Sequence, residues 1–238
     1  AGIIPSSYIE KIINNDSHER KDRKRDVRKM RMLLKSLARN ESSLVGNDTL
    51  VKDIEEYSNE EELLESRQTV RDYIGALNSL YLLDYQEAYS INYRSSKRIG
   101  KTPKKHLVDP SLSCALLDLS VDKLMHDFNT FGFMFEALVE RDLRIYMDYL
   151  DGHLYYFRDN TSGDEVDAIL EFKNGDYAAV EIKLTYNSID EAKKNLQTFY
   201  NNVSVKPKFM CIIVSSLSAF YKDTETGIYI LPITVLKP

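Results

Sequence analysis

Asp167, Glu181 and Lys183 are the residues whose types and spacing could do chemistry together. All three lie in residues 163–184, which read GDEVDAILEFKNGDYAAVEIKL. Val166, Ala168 and Leu170 alternate there with Glu165, Asp167 and Ile169. Ala178, Val180, Ile182 and Leu184 alternate with Ala179, Glu181 and Lys183. Alternation of period two marks a strand, whose successive side chains point to opposite faces. Glu181 and Lys183 therefore share a face. Between the two runs stands Lys173-Asn174-Gly175-Asp176, and an Asn-Gly pair supplies the positive-φ positions of a tight hairpin. Folding back at that turn brings Asp167 beside the other two. Two carboxylates and an amine then converge, the minimal equipment for holding a divalent cation and activating a water. The plainer reading of the same residues is a wet sheet face on which Glu181 and Lys183 pair as solvated charges.

The elements that must position these residues are legible around them. Residues 129–150 read as an amphipathic helix, with Phe135, Leu138, Val139, Leu143 and Tyr146 at near-helical spacing and Asp151-Gly152 as the stop. Residues 155–158 read as a strand, and the hairpin follows. Ser188 then opens a helix with Glu191 three residues on, a capping-box pattern, running to about Val203. Residues 209–215 (FMCIIVS) read as a buried strand, and residues 228–236 as a last one.

Helix, three strands, helix, strand, with Asp167 on one hairpin strand and Glu181-Ile182-Lys183 on the other, resembles the PD-(D/E)XK nuclease superfamily. The resemblance implies a restriction-endonuclease-like α/β domain. It implies that Asp167 and Glu181 hold Mg²⁺ together with the carbonyl of Ile182, and that Lys183 orients or deprotonates the attacking water and offsets charge on the phosphate. Members often carry a Glu on the first helix, which Glu136 matches, and its implied role is to hold a second metal or a metal-bound water. Glu136, Asp167, Glu181 and Lys183 are thus the expected catalytic set.

The N-terminal half has a different character. Residues 20–35 are densely basic and become helical from about Asp26, with Val27, Met30, Leu33, Leu34 and Leu37 on one face. The charges suit a solvated helix face or a phosphate-binding strip. Asn47-Asp48 caps a short helix over residues 49–57, and an acidic stretch (Glu60, Glu61, Glu62, Glu65) follows. Residues 66–83 form a second strong helix, with Ser66 as N-cap and Val70, Tyr73, Ile74 and Leu77 in helical register. Residues 84–93 alternate like a strand, residues 94–105 are a basic loop, and residues 104–108 suit a second strand. Three helices followed by a β-wing describe a winged helix. Gln68, Thr69 and Arg71 would then start the recognition helix, and Lys97, Arg98 and Lys101 would sit on the wing as phosphate contacts to DNA. The alternative is a helical packing module that reads nothing.

Gly100-Lys101-Thr102 mimics the end of a phosphate-binding loop. Position 95 is Ser where the first Gly belongs, Pro103 follows, and no apolar strand leads into the turn. No ATP site is expected in this chain. The net charge of −5 over 238 residues argues against wholesale non-specific nucleic-acid binding while leaving local basic blocks. Cys114 and Cys211 sit in apolar contexts and the four His are scattered, so neither a disulfide nor a zinc site is expected. The absence of disulfides points to a cytoplasmic protein, and no apolar run reaches membrane-spanning length.

Residues from roughly 10 to 238 resemble the region after the ATPase module in a large group of prokaryotic AAA+ ATPases. The segments that carry this are KSLARNESSLVGNDTLVKDI, RQTVRDYIGALNSLYLL, KRIGKTPKKHLVDPSL, FGFMFEALVERDL, YFRDNTSGDEVDAIL and AVEIKL, in that order. The chain lacks a Walker motif and so resembles the C-terminal part of such an ATPase, with the ATPase module as partner. The implied organisation is α+β: a winged-helix-like segment over residues 1–108, a linker over 109–128 where Pro110 and Ser111–Ser113 break the pattern, and a nuclease-like domain over 129–238. Cleavage of nucleic acid and catalytically silent docking of the ATPase onto nucleic acid or protein both suit this arrangement.

Overall fold

The structure, a computed structural model, describes residues 3–19, 27–57, 67–90, 101–159 and 162–237. Lys97, Arg98, the expected cap Ser66 and most of the 94–105 loop lie outside the described residues. The chain is α+β and divides into two compact units. One comprises Ala1–Tyr85 and Lys104–Thr130, the other Gln86–Pro103 and Phe131–Pro238.

The first unit is mainly helical: α1 (Ile3–Glu19), α2 (Val27–Arg39), α3 (Asn47–Tyr57), α4 (Arg67–Ser79), the start of β1 (Leu83–Ala88), β2 (Lys104–Leu107), α5 (Pro110–Leu116) and α6 (Val121–His126). Helical spacing puts Met30, Leu33, Leu34 and Leu37 on one face of α2, and all four are buried. Leu50 and Ile54 of α3, Val70, Ile74 and Leu77 of α4, and Leu107 of β2 join them in one apolar cluster. Each such side chain contributes about 1.5–3 kcal/mol on leaving water. Polar knots tie the loops to this core. Glu41 is 1% exposed. It accepts hydrogen bonds from Ser113 Oγ (2.5 Å) and from the Leu107 N–H (3.4 Å), and it lies 3.0 Å from His106 Nδ1. Asp53 likewise accepts from Ser36 Oγ at 2.7 Å and Asn40 Nδ2 at 3.0 Å, and pairs with Arg39.

Residues 109–128, expected as a linker, hold α5, α6 and the start of the next helix. Asp109 caps α5 by accepting from the Ser111 N–H (2.8 Å), and Ser120 caps α6 through the Lys123 N–H (3.2 Å). Pro110 begins α5, where a missing N–H costs nothing. Leu112 and Leu116 enter the core. Proline and serine, read as breakers, act here as helix starters.

The second unit is a three-layer sandwich. Its sheet runs in the order β1, β3 (His153–Arg158), β4 (Glu165–Glu171), β5 (Tyr177–Lys183), β6 (Phe209–Val214), β8 (Tyr229–Pro232), β7 (Tyr221–Lys222). β3, β4 and β5 form an antiparallel meander, while β1 joins β3, β6 joins β5 and β8 joins β6 in parallel. The pairing of Glu87 with Tyr155 explains why Gln86–Pro103 belongs to this unit rather than to residues 1–108. Helix α7 (Phe128–Tyr149) lays Phe135, Val139, Leu143 and Met147 on one face, against Ala168, Leu170, Ala178, Val180 and Ile182. Helix α8 (Ile189–Asn202) lays Ile189, Ala192, Leu196 and Phe199 on the other, against Ile169, Tyr177, Ala179 and Ile212. β5 is therefore covered on both sides, and Glu181 is an ionisable group set into a central strand.

Three local expectations change. The β4–β5 connection is a three-residue loop, Lys173-Asn174-Gly175, closed by Gly175 N–H to Phe172 O (2.9 Å) and Phe172 N–H to Asp176 O (2.8 Å). Only Gly175 takes a positive φ, +84°. Asn174 instead accepts from the Asp176 N–H (3.0 Å), so the loop is a type I turn with a left-handed glycine. The Ser188 side chain makes no capping bond, because its backbone (ψ 2°) closes a 3₁₀ turn, Tyr186–Ser188, instead of being extended. β8 stops at Pro232, where a second 3₁₀ turn, Ile233–Val235, begins.

Candidate functional site

The hairpin does what the alternation requires. Ala168 pairs with Val180 and Ile169 with Ala179. Continuing that register one step sets Asp167 opposite Glu181. All three site residues point to the α8 side of the sheet, the side of Ile169 and Ala179. Asp167 Oδ2 accepts the Ile182 N–H at 2.7 Å and lies 3.3 Å from Lys183 Nζ. Lys183 Nζ is also 2.7 Å from Glu181 Oε2. One ammonium thus bridges two carboxyl groups on neighbouring strands.

Burial sets the electrostatics. Glu181 is 2% exposed. Its pKa is pushed up to about 8, by burial first and by the charge of Asp167 second, against the pull of Lys183 and of a hydrogen bond from Asn195 of α8. Burial would lower the Lys183 pKa, but the charges of Asp167 and Glu181 outweigh it and hold the ammonium above its ordinary value. Although Glu181 Oε2 is close to Lys183, it is buried with no hydrogen-bond donor properly aimed at it. Contact with Lys183 there is charge pairing without a directed bond. An under-served carboxyl oxygen beside a second carboxylate, once its proton is released, suits a hard divalent cation such as Mg²⁺, which takes one or two protein carboxylates and keeps several waters.

Glu136 is half-buried on α7, whose apolar stripe covers the opposite face of the sheet. Among the described residues no group of three or more carboxylate, His or Cys side chains is placed to hold a metal, so Glu136 does not complete a three-carboxylate centre. Gln68 and Arg71 are exposed on the first turns of α4 and Thr69 is half-buried. Gln68 Nε2 is spent on Asp72 Oδ1, 2.9 Å away. Lys101 falls in the second unit, where its ammonium donates to the carbonyl of Arg158. The expected nucleic-acid contacts are therefore split between the two units, with Lys97 and Arg98 outside the described residues. Two polar partners of the site escaped the sequence reading. Asn195 looks like an ordinary polar residue on an amphipathic helix, and Gln86 looks like one more polar position in an alternating strand. Only the fold brings them near the hairpin.

Residues 3–123, just over half of the chain, match the family described as "Domain of unknown function (DUF8612)", and the chain belongs to it. Residues 131–236 match a second family, "Domain of unknown function (DUF4143)". No curated protein matches. Among solved structures, a chain in the assembly of Thermococcus gammatolerans McrB AAA+ hexamers with bound McrC is similar over 86% of this chain and 70% of that chain. The identity is 10% and the TM-score 0.31, too low to define a common fold.

Proposed function

We propose that the second unit is a PD-(D/E)XK-type nuclease-like domain that cleaves phosphodiesters with a divalent cation, and that the chain works with an AAA+ ATPase module. The observation that carries this is the single Lys183 ammonium held between Asp167 and Glu181 at the end of the β4–β5 hairpin. Support also comes from the run α7, β3, β4, β5, α8, β6, which has the core order of that superfamily. The partnership with an ATPase rests on the ordered segments from KSLARNESSLVGNDTLVKDI to AVEIKL.

In this reading Asp167 and Glu181 supply the anionic oxygens that hold Mg²⁺ or Mn²⁺. The cation, when bound, polarises the phosphate and lowers the pKa of a water. Glu181 gives up its proton on binding, since a ligating carboxyl must be ionised. Lys183 is held firmly protonated, so it serves as a fixed positive charge toward the scissile phosphate and orients the water rather than removing its proton. Stability alone gives no reason for such a cluster, because an apolar replacement of a buried ion pair is often neutral or better.

A second reading, a catalytically silent docking module for nucleic acid or protein, has its own observation: Lys183 already pairs with both carboxyl groups, and among the described residues no third ligating side chain joins them. Cleavage of single- and double-stranded DNA and RNA, with Mg²⁺ or Mn²⁺ and the ATPase module supplied, separates the two. The nuclease reading expects metal-dependent products and a loss on the order of 10²–10³ in Lys183→Ala. Wild-type protein that binds these substrates without cutting any of them is a docking module.

A further inference from the structure

β4 is not a regular strand where Asp167 leaves it. Tyr155 pairs with Ile169 and Phe157 with Val166. Two steps along β3 thus match three along β4, and Asp167 and Ala168 together stand opposite Tyr156. This is a β-bulge, which kinks its strand and re-aims a side chain. Directly over the irregularity sits Gln86 of β1, wholly buried. Its side-chain Nε2 donates to the carbonyl of Tyr155 (3.0 Å) and to that of Asp167 itself (3.1 Å). A primary amide has two N–H donors, and both are spent on the two strands that flank the bulge.

From this geometry we infer that Gln86 is a positioning residue for Asp167. It clamps the bulge from the Asp167 carbonyl and so fixes the direction in which the Asp167 carboxylate leaves β4. That direction delivers Oδ2 to the Ile182 N–H and to Lys183 Nζ. An ordinary ladder residue would leave Gln86 no reason to be polar: a side chain with no access to water costs free energy unless its groups are bonded, and an apolar residue fills a sheet interior at no such cost. The amide is spent on holding one backbone carbonyl of the hairpin in place. The cation-binding role of Asp167 rests on the function proposed above; the clamp itself does not.

Gln86→Met keeps the length and removes both donors, and the test uses the full chain. Two signals are read beside the thermal midpoint: Mn²⁺ affinity by calorimetry, and the amide proton shift of Ile182, which reports its bond to Asp167 Oδ2. If Gln86 positions Asp167, the folded variant loses about 10- to 100-fold in Mn²⁺ affinity, the range for a residue that orients a metal ligand. Its Ile182 amide also moves upfield while amides on β8 stay. A folded Gln86→Met with unchanged Ile182 amide and Mn²⁺ affinity overturns the inference. Should the wild type bind no Mn²⁺, the cation reading fails while the Ile182 shift still decides the clamp. Should Gln86→Met not fold, the wild-type Gln86 side-chain amide decides: slow hydrogen exchange at both N–H positions supports the clamp, and rapid exchange at either rules it out.

Discussion

At the scale of single residues, Glu181 is the most consequential group. Its pKa in the fold, about 8, stands above the ordinary 4.5 because it is buried beside Asp167. The folded protein therefore binds more protons than the unfolded chain between these values. Stability is greatest at or below about pH 4.5 as far as this group is concerned, and it is lost as pH rises toward 8. Urea unfolding at several pH values should show a midpoint that declines across this window, and Glu181→Gln, which cannot titrate, should flatten the decline. An unchanged pH profile in Glu181→Gln would mean that Glu181 is already ionised in the fold. The same proton affects ligation. Below pH 8, Mn²⁺ must displace it, so affinity should rise up to about tenfold per pH unit and level off above 8.

Elements explain why the hairpin is so exact. Its register depends on the loop Lys173-Asn174-Gly175 and on the point where the preceding helix hands over to β3. Asp151 takes a left-handed φ of +53° after α7, and Gly152 donates its N–H to Met147 O at 2.8 Å. A Cβ on Gly152 would come within 2.7 Å of the backbone oxygen of Glu171, at the far end of β4 from the site. Gly152→Ala should therefore destabilise by about 1–3 kcal/mol, as an overpacked site does. A denaturant midpoint equal to wild type would show that the backbones part at no cost. These elements were largely legible from the chain: period-two alternation gave β4 and β5, helical spacing gave α2, α4 and α7, the Ser188 and Glu191 pattern gave α8, and Asp151-Gly152 gave the stop. Legibility failed where one residue type has two uses. Pro110 and its serines start α5 instead of forming a spacer, and Ser188 closes a 3₁₀ turn instead of capping α8. β7, two residues long, is too short to show a period. The bulge at Asp167 leaves no mark in sequence, since it arises from the pairing of β4 with β3.

For the whole molecule, three apolar clusters are built, one among α1–α5 with β1 and β2, and one on each face of the sheet in the other unit. Leu37→Ala, in the first core, should cost about 2–5 kcal/mol. Hydrogen exchange followed by mass spectrometry should show α2 and α3 losing protection while β5 and α8 keep theirs. Equal loss in every peptide would indicate one cooperative unit. Asp167, Glu181 and Lys183 were readable together because one local hairpin carries them; Gln86 was not, because it comes from 81 residues away, and Asn195 was not, because nothing in the chain tells which polar residue of α8 packs over the sheet. The account turns on whether Asp167 and Glu181 share a cation, and calorimetric titration of Mn²⁺ into the wild type and the Asp167→Ala, Glu181→Ala and Lys183→Ala variants measures that directly. One site in the wild type is predicted, abolished in either carboxylate variant and kept in Lys183→Ala, since an ammonium is no ligand. A wild type that takes up no Mn²⁺, or carboxylate variants that bind it as the wild type does, would contradict the account.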